Sequence, residues 1–239
     1  MPLPKIVTPT FELDLPSSGK TISYRPFLVK EEKLLVIALE SEDSQQITSA
    51  IKAVISDCIL TKDVKVDQLP TFDIEYLFLN IRGKSVGEEL EVNVLCPDDE
   101  ETYVPVKIDI DQINVLKNSE HSKNIQIDDT LAIEMKYPSL DQFIKSNFDF
   151  TDQISVEQSF DLIATCISQV FTAEESWAVE DLTKKEVVEF LDQMNSSQFK
   201  KIEKFFETMP KLSHEIQVTN PNTKKKSTVV LEGLSSFFA

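Results

Sequence analysis

The sequence predicts an α+β protein, a helical block carrying several antiparallel β-hairpins. Three observations predict it. Short alternating apolar runs are bounded by Gly, Pro, Asp and Asn; between them apolar residues recur at spacings of three and four; and hairpins and helices come in groups, without the strand–helix–strand alternation of a parallel sheet.

The elements follow in chain order. Thr10 to Leu15 alternates polar and apolar, Pro16 to Gly19 is a turn, Thr21 to Tyr24 is a second strand, and Pro26 ends it. Beyond Phe27 the period becomes helical. Leu34, Leu35, Ile37, Ala38 and Leu39 mark a first helix that opens at Lys30-Glu31-Glu32-Lys33. Ser41 to Ser44 breaks it and caps a second, where Ile47, Ile51, Val54, Ile55, Cys58 and Ile59 fall on one face. Phe72, Ile74, Leu77, Phe78 and Ile81 predict a third helix, with Gly83 as its terminator.

Leu90 to Leu95 and Tyr103 to Ile110 form the clearest hairpin, joined by the polar turn Cys96 to Thr102. Asn124 to Ile127 and Thr130 to Tyr137 predict two more strands around Asp128-Asp129. Leu140 to Phe206 reads as mainly helical. Leu140, Phe143 and Ile144 begin it, and Phe160, Ile163, Ala164, Ile167, Val170 and Phe171 continue it at helical spacing. Thr183 and Glu186 have the residue types of a capping box. Val187, Val188, Phe190 and Leu191 give that helix its apolar face; Phe199, Ile202, Phe205 and Phe206 serve the next. Pro210 stops the block. His214 to Val218 and Ser227 to Leu231 predict a last hairpin around the basic turn Thr219 to Lys226, and the chain closes on an apolar tail with Phe237-Phe238. The expected division is an N-terminal α+β region, 1–138, and a mainly helical region, 139–239, that ends in the hairpin and tail; the alternative is one compact unit.

Composition narrows the function. The chain has 239 residues, 41% of them hydrophobic, enough for a sizeable core without disulfides. The net charge is -17, from 41 acidic and 24 basic residues, which disfavours contact with nucleic acid or an anionic membrane. Such a surface repels copies of itself and favours partners with basic patches. Cys58, Cys96 and Cys166 are odd in number and widely spaced, as expected of buried free thiols in a reducing cytoplasm. No leader peptide is expected before Leu15, and no run approaches the ~18 apolar residues of a membrane span.

Chemistry-bearing patterns are sparse. Gly83-Lys84-Ser85 lacks the earlier glycine of a phosphate loop, since Phe78 stands there. His121 and His214 lie in polar stretches and are expected to be exposed. Asp98 to Glu101 reads as a solvated turn, because a calcium loop needs a central glycine. Cys96-Pro97 resembles half of a zinc knuckle, but Asp98 to Thr102 supplies no second Cys or His. Lys224-Lys225-Lys226 reads as a solvated hairpin tip. No cofactor or metal is expected, and the two later hairpins are expected to be knuckle-like and metal-free.

Tyr24-Arg25-Pro26-Phe27-Leu28-Val29-Lys30-Glu31-Glu32-Lys33-Leu34-Leu35 with Ala38-Leu39-Glu40-Ser41, then Phe205 to Leu212, then Leu231 to Phe238, resemble signatures of the T4-like phage baseplate hub subunit family. The likeness runs over nearly the whole chain, and the first motif is its most specific part. It implies a non-enzymatic protein that builds the central hub of the baseplate by binding other hub and tail proteins. It also implies residence in the host cytoplasm during assembly, followed either by a place in the virion tail baseplate or by release as a transient assembly chaperone. Some relatives of this kind carry Cys-Pro-x-Cys pairs in the two later hairpins. This sequence keeps only Cys96-Pro97, so packing is expected to hold those hairpins. The expected partner-binding residues are Arg25, Pro26, Phe27, Lys30 and Glu31, where a Pro-rigidified entry sets the angle of a helix, together with Phe237 and Phe238. The rival readings are a cytoplasmic adaptor that uses the Leu140–Phe206 block and, less favoured, a hydrolase with a carboxylate-lined site.

Overall fold

The computed structural model describes residues 6–41, 43–139, 142, 156–233 and 236. It divides into two compact units, Met1–Leu116 with Lys211–Ala239, and Lys117–Pro210. Both are α+β, built on small antiparallel sheets. Residue 138, where the sequence divides, lies inside the second unit.

In the first unit, β1 (Phe11–Asp14) pairs with β2 (Thr21–Tyr24) across a turn in which Gly19 takes φ 69°, a left-handed conformation. Asp73 anchors that turn: it is fully buried and accepts from the amide (2.9 Å) and hydroxyl of Ser17. Three helices follow: α1 (Val29–Glu40), α2 (Ser44–Cys58) and α3 (Thr71–Val86). β3 (Glu89–Leu95) then pairs with β4 (Tyr103–Asp109), and β5 (Asn114–Leu116) returns to the sheet of the last hairpin. That hairpin is β10 (Lys211–Thr219) and β11 (Lys226–Glu232), so the sheet order is β11-β10-β5. Alternation works as read from the sequence: Leu90, Val92, Val94, Leu212, Ile216 and Val218 point inward and join Leu79 and Ile113 in one core.

Gly83 does not end α3. The helix runs on to Val86, and Gly87 at φ 130° is its C-cap. Gly83 instead lies close to Ile110: a Cβ there would stand 2.9 Å from Ile110 Cδ1, the end of a side chain that would have to shift.

The second unit has a four-stranded sheet in the order β6-β7-β8-β9: β6 (Asn124–Gln126), β7 (Ala132–Met135), β8 (Ile167–Phe171) and β9 (Ser176–Ala178). Its helices are α4 (Val156–Cys166), α5 (Lys184–Asp192) and α6 (Ser196–Thr208). The Thr183–Glu186 capping box opens α5, with Thr183 N–H donating to Glu186 Oε2 at 2.7 Å. The expected helix through Ile167, Val170 and Phe171 is a strand. The Lys136 amide takes the Cys166 carbonyl at 2.7 Å, and β8 then zips between β7 and β9, with Val170 opposite Ile133 and Trp177. Pairing on both edges outweighs a three-four spacing carried partly by β-branched residues. Leu140, Phe143, Ile144, Phe237 and Phe238 lie outside the described residues.

Candidate docking site

The entry to α1 is built from charges turned inward. Arg25 N–H donates to the Cys58 carbonyl at 3.0 Å, tying β2 to the end of α2. Its guanidinium reaches Glu31 Oε1 at 2.8 Å and the Pro26 carbonyl at 2.9 Å. Glu31 Oε2 accepts from the Leu28 amide at 2.8 Å, closing the first turn of α1, and Lys30 Nζ lies 2.9 Å from Glu31 Oε1. The Phe27 amide donates to Ser85 Oγ on α3 at 2.9 Å. Glu31 is 3% exposed. Burial alone would raise its pKa, but the hydrogen bonds from Arg25, Lys30 and the Leu28 amide outweigh that and hold it at about 2. Of the residues expected to bind partners, Pro26 and Glu31 are buried, Arg25 and Phe27 half-buried, and Lys30 exposed.

What this seat presents is α1. Seven of its twelve residues are apolar, more than one face can cover. Ala38 is buried and Leu35 half-buried; Val29 is 78% exposed, Val36 48%, Ile37 54% and Leu39 56%. No comparable run of large apolar side chains is exposed on any other described helix.

A second feature of the first unit joins the tips of its two long hairpins. Asn220 is 1% exposed, and its Nδ2 donates to Asp98 Oδ1 (3.0 Å) and Asp99 Oδ2 (2.8 Å). Thr223 Oγ1 donates to Asp98, and Asn222 Nδ2 to Thr102 Oγ1 at 3.0 Å. Hydrogen bonds from Thr102 and Asn220 hold the Asp99 carboxyl far below the usual range, and those from Thr223 and Asn220 lower Asp98. The Asp98–Glu101 turn is therefore only half solvated: Glu100 and Glu101 face water, while Asp98 and Asp99 are half-buried and engaged. Side-chain hydrogen bonds, rather than packing alone, tie these tips.

His121 is not exposed as expected. It stacks on Tyr137 (centroids 5.5 Å) and packs on Phe205 (5.0 Å), with Nδ1 3.0 Å from Thr208 Oγ1 and Nε2 buried without a hydrogen-bond partner among the described residues. Burial and the nearby Lys123 push its pKa down. His214 is half-buried in β10, opposite Leu231. All three thiols are buried; desolvation raises Cys58 to about 11 and Cys166 to about 12, which keeps them protonated at neutral pH. Among the described residues, no group of three or more His, Cys, Asp or Glu side chains is placed to hold a metal ion, and no helix is long and apolar enough to cross a membrane.

The fold and this surface define an α+β protein that sets a helix with exposed apolar side chains on a base held by the Arg25–Glu31 ion pair. A model of the T4 bacteriophage base plate protein family matches residues 8–239, and the chain belongs to that family. No curated protein and no solved structure matches it. The family makes it a phage baseplate component and implies contact with other baseplate proteins.

The tie between the tips was not read from the sequence, although a signal exists. Cys96-Pro97-Asp98-Asp99 and Asn220-Pro221-Asn222-Thr223 are two Pro-containing turns of like length, one rich in acceptors and the other in donors.

Proposed function

We propose that this chain is a non-enzymatic assembly or structural protein of the baseplate central hub, acting by binding other hub and tail proteins in the host cytoplasm and within the tail. The observation that carries the reading is α1: a helix with apolar residues facing water, next to an entry locked by the ion pair of half-buried Arg25 with buried Glu31. Arg25, Pro26, Phe27, Lys30 and Glu31 set its angle, and Phe237 and Phe238 are further partner-binding residues. Membership of the baseplate family agrees with a structural role.

Complementation of a phage lacking this gene tests it. Arg25→Glu places two acids together at the seat and is expected to abolish infectious particles, with tails stalled before the hub is complete. Normal hubs from that variant overturn the reading. Mass spectrometry of purified virions separates a resident protein from one that leaves after assembly.

A further inference from the structure

Lys33, Val36, Ile37 and Glu40 fall at i, i+3, i+4 and i+7, so they share one stripe of α1, and all four are exposed. The stripe reads cation, apolar, apolar, anion, and its two halves are equidistant from the midpoint between Val36 and Ile37. We propose that two copies of this chain pair through α1, antiparallel, about a two-fold axis passing between Val36 and Ile37. An isologous contact needs a surface complementary to itself after rotation. This stripe meets that condition: Lys33 of one copy faces Glu40 of the other, twice, and Val36 meets Ile37 at the centre.

Two further facts support a second copy over another occupant. Neither Lys33 nor Glu40 has an ion pair among the described residues. Glu40 also sits at the negative end of the helix dipole with no basic residue in the last turn, an unfavourable placement that Lys33 of a second copy neutralises. The charge of -17 opposes approach at long range. The screening length in physiological salt is only about 8 Å, and within it this stripe is balanced. Helices packed about 8–10 Å apart bring such side chains into contact. The inference shares the exposed face of α1 with the hub reading but not its test: it commits Val36 and Ile37 to a second copy, and a chain that proves monomeric leaves that face to other baseplate proteins.

Sedimentation velocity of the full chain across a concentration series tests it. The wild type is expected to dimerise. Lys33→Glu and Glu40→Lys are each expected to weaken dimerisation by at least about tenfold, because each sets two like-charged pairs across the axis. An equimolar mixture of the two variants is expected to recover near-wild-type association, since both cross-pairs are again opposite in sign. Ile37→Asp is expected to dissociate the pair without changing the thermal melt recorded at a dilution where the wild type is monomeric. A wild type that stays monomeric, a dimer indifferent to Ile37→Asp, or a mixture no better than either variant alone overturns the proposal. Dimerisation that appears only after removal of residues 237–239 also overturns it, by showing that the tail occupies α1 in the native chain.

Discussion

The helices α1 and α6 are of similar length and both mix charge with large apolar side chains, yet they spend them differently. In α6, Ile202 and Phe205 are buried, Phe199 and Phe206 half-buried, and Lys200, Lys201, Glu203, Lys204 and Glu207 face water. Every large apolar side chain of that helix serves its own unit. In α1 the inward face holds Ala38, Leu35 and a buried carboxylate, while Val29, Val36, Ile37 and Leu39 look outward. Glu31 is buried at the base of this helix while most of its large apolar side chains are exposed. One helix stabilises the fold; the other presents a surface.

That contrast predicts where substitutions hurt. The largest effect is expected at Phe205, which is 2% exposed and packs against His121, Tyr137 and Phe206. Phe205→Ala is expected to cost about 3–5 kcal/mol, read as a collapse of the denaturant midpoint. A loss under about 1 kcal/mol would mean that α6 is no core helix. Next comes Glu31. Its folded pKa, about 2, lies below its unfolded value. The hydrogen bonds and ion pairs to its carboxylate therefore stabilise the fold fully above about pH 5 and are lost as pH falls toward 2, an effect of at most about 3 kcal/mol by linkage because exposed Lys30 is screened by water. Glu31→Gln is expected to flatten that acid limb of the stability–pH curve; an unchanged limb would show that the pair contributes nothing net.

Much of this was legible in the sequence, for physical reasons. β3 and β4 alternate cleanly because one face packs inward and the other meets water, and the Thr183 box carries its partner three residues away. What escaped depended on distant contacts. Ile167 to Phe171 has helical spacing and becomes a strand only because β7 and β9 supply partners. Gly83 looks like a terminator until Ile110 arrives beside it. At the candidate site, the Tyr24–Ser41 motif drew attention to the segment that forms α1, but not to which of its residues face water. A buried Glu31 requires Arg25 and the Leu28 amide together, and no single position in the sequence shows that.

The tie between the hairpin tips gives the third effect. Asn220→Ala removes two donors from a buried position and leaves Asp98 and Asp99 to find water. The expected loss is roughly 1–3 kcal/mol, with faster amide exchange at both tips and little change in the second unit. Exchange that rises at one tip only would show that the tips do not depend on each other.

The smallest effect belongs to the outward face of α1, and it sharpens the comparison most. Val29→Ser with Val36→Ser changes two exposed side chains that the chain's own core does not use. The monomer, melted at high dilution, is expected to keep its stability to within about 0.5 kcal/mol per site. The same exchange of apolar for polar side chains in α6, at Phe199 and Ile202, is expected to be severely destabilising, since both belong to the packed interior of their unit. If the α1 pair proved as costly as the α6 pair, Val29 and Val36 would be packed against this chain itself in solution, and the surface assigned to other proteins would be part of the core.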